Sequence, residues 1–451
     1  MSHSVGDSMP FVLECVSCFR MIRLISLSGL AAIGMAIIVI PTAEAVAAVQ
    51  DQSIEISARQ QGLVRSLSSV RQSLLKPEDE SNFNKKISRQ YKTLLSQGPN
   101  LSATADKEVM TQGLRYRIYR ATDPQVQASP FLMGQALLDI RRELNSCGSL
   151  ILNKSSKERF REEVMVLAHG LLLDLLKNNL DARMFALAIL NELEIRSKGP
   201  DQPRTDILGK VPETLQQVIS DADAKVPDAV RAAAAVQVRK FLEKTDALPV
   251  VQMQLGSALR TQLARTDTEV TYQKTLIEAL CRVSWPREIV GQATPSVFDA
   301  LLKVVADPKR DISVRCMAAR GFGRIGYDSE INFDVLAWKV AQLAVQAGEK
   351  FNEDPGNPEF PFCGSDLYLA FHHLDADEAK DPKNIKGMLN RAPRSTVVKD
   401  AYQLILKIVG PMLAASGEPI PAEDLQAVKD WTEKNVPADL KFDAAGIPVP
   451  K

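Results

Sequence analysis

Apolar residues recur along most of this chain at helical spacing. Val164, Leu167, Ala168, Leu171, Leu172 and Leu175 advance by steps of three and four, which places them on one face of an α-helix. Val314, Met317, Ala318, Gly321, Phe322 and Ile325 repeat that spacing, and shorter versions run through Leu367, Ala370, Phe371 and Leu374 and through Val398, Ala401, Ile405 and Ile408. The alternation of a half-buried strand is not sustained anywhere, and no Asn-Gly or Asp-Gly pair joins two apolar runs. The expected fold class is all-α.

Other segments are read the same way. Leu63, Leu67, Val70 and Leu74, then Phe83, Ile87, Tyr91, Leu94 and Leu95, predict charged amphipathic helices over 51–95, separated by Pro77-Glu78-Asp79. Residues 196–212 and 352–363 read as Pro-rich loops. A helix is expected over Ala422–Lys434, with Leu425, Val428 and Trp431 on one side. An extended tail follows from Val436.

Residues 294–326 show a paired organisation. A first helix carrying Val297, Leu301, Leu302 and Val305 stops at Asp307-Pro308, because proline disfavours a helix in the residue before it. A second opens at Val314-Arg315 and continues on Ala318 and Ala319. Here the chain resembles a HEAT repeat. Similar openings stand at Asp181-Ala182-Arg183, Asp228-Ala229-Val230-Arg231 and Thr268-Glu269-Val270. Ala182, Val230, Val270 and Val314 are spaced by 48, 40 and 44 residues, against about 40–47 for such units. The resemblance implies an α-α superhelix, a HEAT-like solenoid, over 161–415. It would be preceded by an N-terminal helical region over 46–160 and followed by a cap helix and tail over 416–451. It also implies a hydrogen-bonded ladder between repeats, with Asp307 or Asp311 in the turn and Arg315, Arg231 and Arg183 on the helices. The arginine is missing from the unit that opens at Val270.

The N-terminus carries an address. Met21-Ile22-Arg23 precedes an apolar run from Leu24 to Ile40, and Pro41-Thr42-Ala43-Glu44-Ala45 supplies a helix breaker and small residues before a cleavage point. That order is a secretory signal peptide over 21–45, cut after Ala45, with 1–20 read as an over-extended start. The expected location is exported, periplasmic or secreted. The alternative is an anchor formed by residues 24–40 retained in the membrane. Export permits disulfides, yet Cys281 and Cys316 fall on apolar helix faces, so Cys147, Cys281, Cys316 and Cys363 are expected as buried thiols.

Composition narrows the functional classes. The chain has 451 residues, 45% hydrophobic and 24% charged, which excludes a disordered polyampholyte. Lys and Arg total 55, matched by 55 Asp and Glu, so no basic excess exists to release counterions from nucleic acid, and none is expected as a partner. Arg115-Tyr116-Arg117-Ile118-Tyr119-Arg120 reads as an amphipathic helix rather than a nucleic-acid surface.

Candidate chemistry is sparse. Gly321-Phe322-Gly323-Arg324-Ile325-Gly326 matches G-x-G-x-x-G, but these glycines close a helix with no strand before them, so they read as a helix end. His372 and His373 with Asp375 form the best metal-like group. Adjacent helical residues point about 100° apart, which leaves the two imidazoles flanking the buried face as a solvated pair. His169 reads as a packed histidine. Some HEAT-repeat enzymes bind iron through His-Glu pairs, and none of the four histidines here precedes Glu. Beyond the signal, H-E-x-x-H, G-x-S-x-G, the P-loop and paired C-x-x-C are absent. No catalytic residue and no cofactor is expected. The sequence therefore predicts an exported, non-enzymatic helical-repeat scaffold that binds a partner protein through its solenoid surface. The alternative is a metal-binding protein or enzyme with a site around His372 and His373.

Overall fold

A computed structural model describes residues 73–98, 101, 103–197, 204–221, 226–265, 268–283, 296–325, 331–372, 387–414, 417–437, 441–442 and 448–449. The signal segment 21–45, the apolar run 24–40 and the helix expected around Leu63 lie outside these. The described residues are mostly helical, with two short strand pairs, and the all-α class holds. The chain divides into two compact units, Met1–Leu193 and Glu194–Lys451.

In the first unit, α1 (Pro77–Asn82) passes through a π-turn at Phe83–Ile87 into α2 (Ser88–Gln97). There follow α3 (Thr104–Tyr119), α4 (Pro124–Ala128), α5 (Pro130–Ser146), α6 (Lys154–Leu175) and α7 (Leu180–Leu190). Side-chain oxygens open them: Ser129 accepts from the Leu132 N–H at 3.3 Å, Asn153 from Ser156 at 2.9 Å and Asn179 from Ala182 at 3.1 Å. Each satisfies a donor that a helix start leaves without an intrahelical partner. Val164, Ala168, Leu172 and Leu175 of α6 are buried, with Leu167 and Leu171 on the flank. A division expected at 160/161 falls inside this helix, and the unit continues to Leu193.

Tyr91 of α2 lies flat beneath Gly113 of α3, where a Cβ would stand 2.1 Å from its ring. Its hydroxyl donates to Glu143 at 2.9 Å, and Arg117 holds the other carboxylate oxygen at 2.7 Å. The segment Arg115–Arg120 thus closes α3, with Arg117 and Arg120 pairing with Asp139 and Glu143 of α5 and Arg115 with Asp79 of α1.

The second unit starts with β1 (Glu194–Arg196) antiparallel to β2 (Asp206–Ile207). It continues through α8 (Lys210–Ser220), α9 (Asp228–Lys244), α10 (Pro249–Leu263), α11 (Val270–Leu280), α12 (Ser296–Ala306) and α13 (Ile312–Phe322). Then come α14 (Phe333–Glu353), α15 (Phe360–Phe371), α16 (Gly387–Arg391), α17 (Thr396–Ala414) and α18 (Ala422–Lys434). Strands β3 (Lys441–Phe442) and β4 (Pro448–Val449) pair antiparallel near the end.

Packing follows chain order in two rows. Helices α8, α10, α12 and α14 contact one another in succession, and so do α9, α11, α13, α15 and α17. Each helix of one row also packs on a sequence neighbour in the other, so an apolar face that no single helix could bury is covered from two sides. On α13, Val314, Ala318, Ala319 and Phe322 are all fully buried. Burying a side chain such as Phe322 contributes about 2–3 kcal/mol. Helix α18 packs on α14 and α17, and the Trp338 indole N–H donates to the Thr432 carbonyl at 2.7 Å.

Both stretches read as Pro-rich loops are in part helical. Pro212 sits in the first turn of α8 and Pro361 in the first turn of α15. A first-turn residue has no intrahelical acceptor for its N–H, so proline is tolerated there.

Candidate functional site

The most regular feature of the second unit is a set of arginines aimed at helix ends. Arg231 is the fourth residue of α9, and its Nη2 donates to the Asp221 carbonyl, just beyond α8, at 2.6 Å. Arg315 is the fourth residue of α13. Its Nε donates to the Val305 carbonyl of α12 at 3.0 Å and its Nη2 to Gln346 of α14 at 2.6 Å. The last carbonyls of a helix lack intrahelical partners and carry the negative end of its dipole, so a guanidinium satisfies both hydrogen bonding and charge. In the first unit Arg183, fourth in α7, donates from Nε to the Asn178 carbonyl at 2.7 Å.

On α11 the fourth position is not an arginine, and the contact is made from elsewhere. Gln273 is the fourth residue of α11. Arg310, in the turn between α12 and α13, reaches back to it at 2.8 Å and to the Leu263 carbonyl of α10 at 2.8 Å. Asp228 plays the acidic part, accepting from Arg231 at 3.0 Å and from Arg265 at 2.9 Å. The expected partnership of Asp307 or Asp311 with Arg315 takes a different form. Asp307 faces Arg310 at 3.5 Å, Asp311 caps α13 by accepting from Ser313 at 2.8 Å, and the Arg315 guanidinium is directed at Val305 and Gln346.

The same row of helices carries cross-helix ion pairs on its accessible side. Arg239 of α9 meets Glu278 of α11 at 3.1 Å, and Glu243 of α9 meets Arg282, just past α11, at 2.9 Å. Lys274 of α11 meets Glu359, at the start of α15, at 3.3 Å. Pairs this exposed are worth about 0–1 kcal/mol each, so their consequence is a patterned surface more than stability. In the same row Phe362 of α15 is 72% exposed and Leu413 of α17 is 45% exposed. Arg320 of α13 meets Asp366 of α15 at 3.3 Å in a deeper setting. Burial pushes the Asp366 carboxyl up to about 6, opposed by Arg320.

The histidine pair is placed only in part. His372 caps the C-terminal end of α15 and is half-buried, its ring stacked on Tyr368 at 4.9 Å and tilted against Tyr402 at 4.9 Å. The expected solvated position is replaced by an aromatic cluster. His373 and Asp375 lie outside the described residues. His169 is buried on α6, as a packed histidine. Among the described residues no group of three or more His, Cys, Asp or Glu is placed to hold a metal ion, and no helix is long and apolar enough to cross a membrane.

Gly321 and Gly323 of the G-x-G-x-x-G match stand at the end of α13 and serve close packing, and Gly326 lies outside the described residues. A Cβ on Gly321 would stand 2.5 Å from Leu301, and one on Gly323 would stand 2.6 Å from the Ala370 carbonyl of α15. Arg310, Arg320 and Asp366 were not singled out by sequence reasoning. Their one signal is Arg310 four residues past Val305-Ala306, where a helix has just ended.

Compared with protein-family models and with curated proteins, the chain matches none.

Proposed function

We propose that this chain is an exported, non-enzymatic helical-repeat scaffold of the HEAT-like solenoid type. It binds a partner protein through the accessible side of α9, α11, α13, α15 and α17. The observation that carries this reading is the row itself: Arg231 of α9 and Arg315 of α13, at the same helix position, reach helix-end carbonyls, and the row is crossed by partly exposed ion pairs, with Phe362 of α15 exposed. Stacked repeats offer extended surfaces of this kind without catalytic residues. Residues 21–45 act as the export signal, cut after Ala45, and the chain touches the membrane only where residues 24–40 are retained.

In situ crosslinking of the exported chain, followed by mass spectrometry, tests this. Crosslinks to one protein that concentrate on α11 and α15 are expected, and their loss in a Phe362→Glu variant of unchanged stability ties them to this face. Crosslinks scattered over both rows, or unaffected by Phe362→Glu, overturn the assignment of the surface. The reading built on His372 and His373 is tested separately by metal analysis of the purified chain and of a His372→Ala/His373→Ala variant. A stoichiometric metal lost only in the variant would replace the scaffold reading.

A further inference from the structure

We propose that Cys316 and Cys363 form a disulfide that fastens α13 to α15 in the exported chain. The proposal rests on the export reading above for its oxidising compartment, and on the geometry of these two helices for everything else.

The helices run parallel in a fixed register. Cys316 stands beside Cys363, near enough for the two thiols to influence each other. One turn further on, Arg320 stands beside Asp366 at 3.3 Å. After another turn, Gly323 stands against the carbonyls of Leu369 and Ala370, so near that a Cβ there would lie 2.8 and 2.6 Å from them. Three successive neighbours at almost the same sequence offset hold the pair at one height, and the missing side chain at Gly323 lets the backbones approach. A disulfide needs Cβ atoms about 3.5–4.5 Å apart, a separation suited to residues of closely packed parallel helices whose side chains already meet.

Both thiols are free in the structure and deeply buried, at 0% and 1% exposure. Burial, with the neighbouring Cys363 thiol, raises the Cys316 thiol well above its usual range. A buried neutral thiol exchanges slowly, so the bond forms while α15 is still docking. A disulfide donor, such as the oxidised dithiol of a folding oxidoreductase, supplies the oxidising equivalents. One cysteine thiolate attacks a donor sulfur, the donor S–S bond breaks, and the departing thiolate takes a proton. The second cysteine then loses its proton, attacks the protein-side sulfur of the mixed disulfide, and releases the donor's other thiol. Two protein thiols lose two electrons and two protons, and one donor disulfide becomes two thiols. The closed loop encloses α14 and ties two successive members of one helical row.

The full chain, reduced and unfolded, is refolded with oxidised and reduced glutathione, alkylated, digested without reductant and mapped by mass spectrometry. A peptide pair linking Cys316 to Cys363, lighter than the two free peptides by two hydrogens, is the expected result. Reduction should then lower the Tm by about 5–10 °C. A Cys316→Ala/Cys363→Ala variant with an unchanged circular dichroism spectrum should show no such response. Alkylation of both cysteines, or linkage of either to Cys281, overturns the proposal. The same mapping is made on chain recovered from the envelope or medium, and an exported chain with both thiols free also overturns it. A chain that links on refolding but is found reduced in the cytoplasm overturns the export reading and leaves the geometry of the cross-link supported.

Discussion

Arg310 donates to Gln273 at 2.8 Å and, through its other terminal nitrogen, to the Leu263 carbonyl at 2.8 Å, so one turn arginine does what Arg231 and Arg315 do from within their helices. Arg310→Ala leaves a helix-end carbonyl and the Gln273 amide oxygen without their donor. It is expected to cost about 2–4 kcal/mol in urea unfolding. Gln273→Arg in that background places an arginine at the fourth position of α11 and should restore roughly half of the loss. Equal stability of the single and double variants would show that the two positions are not interchangeable.

Gly113 and Gly134 make a controlled contrast within the first unit. At Gly113 a Cβ meets the Tyr91 ring at 2.1 Å, and at Gly134, inside α5, it meets nothing within 4 Å. Gly113→Ala is therefore expected to destabilise by about 1–3 kcal/mol through overpacking. Gly134→Ala should stabilise by about 0.5–1 kcal/mol by restricting the unfolded chain. Denaturant midpoints that move in the same direction for both would contradict this packing.

Asp366 gives stability a pH dependence of defined sign. Burial lifts its folded-state carboxyl to about 6, against about 3.9 in an unfolded chain. The folded state thus holds the proton more tightly, and stability is lost as pH rises from about 4 through about 6. Asp366→Asn cannot ionise, so the difference between wild type and variant should change by roughly 2–3 kcal/mol across that window. Parallel stability curves from pH 4 to 7 would mean that Asp366 titrates as an exposed carboxyl.

Phe362 separates folding from recognition. With 72% of its surface exposed, it contributes little to the core, and Phe362→Ala should shift stability by less than about 0.5 kcal/mol. Partner crosslinks on α15 should nonetheless fall. A stability loss above about 2 kcal/mol would place Phe362 in a buried contact instead.

Much of the architecture was legible because it rests on period alone. The runs around Val164, Val314, Leu367 and Val398 became α6, α13, α15 and α17. Arg315 and Arg231 were named through the resemblance to a HEAT repeat, because a helix opening has a local signature. Their acceptors were not legible, since Val305 and Asp221 contribute main-chain carbonyls that any residue could supply. Arg310 escaped for the same reason, as its value depends on α11, which carries Gln273. The β1–β2 pair, three residues against two, is too short to establish an alternating pattern. At Gly321 and Gly323 the sequence displayed part of a dinucleotide-binding glycine pattern, although their use is to admit Leu301 and the α15 backbone. A pattern of glycines records where bulk is excluded and leaves open what does the excluding.

Helix α14 imposes an order of assembly on the second unit. Most contacts of α8 to α13 are with helices one or two places away in the chain. Helix α14 has to wait, because Asn352 exchanges hydrogen bonds with Ile420, 68 residues later, and Trp338 donates to Thr432, 94 residues later. Without those residues its outer side is wet, so the Trp338 indole proton is expected to gain protection late in refolding, readable by pulsed hydrogen exchange.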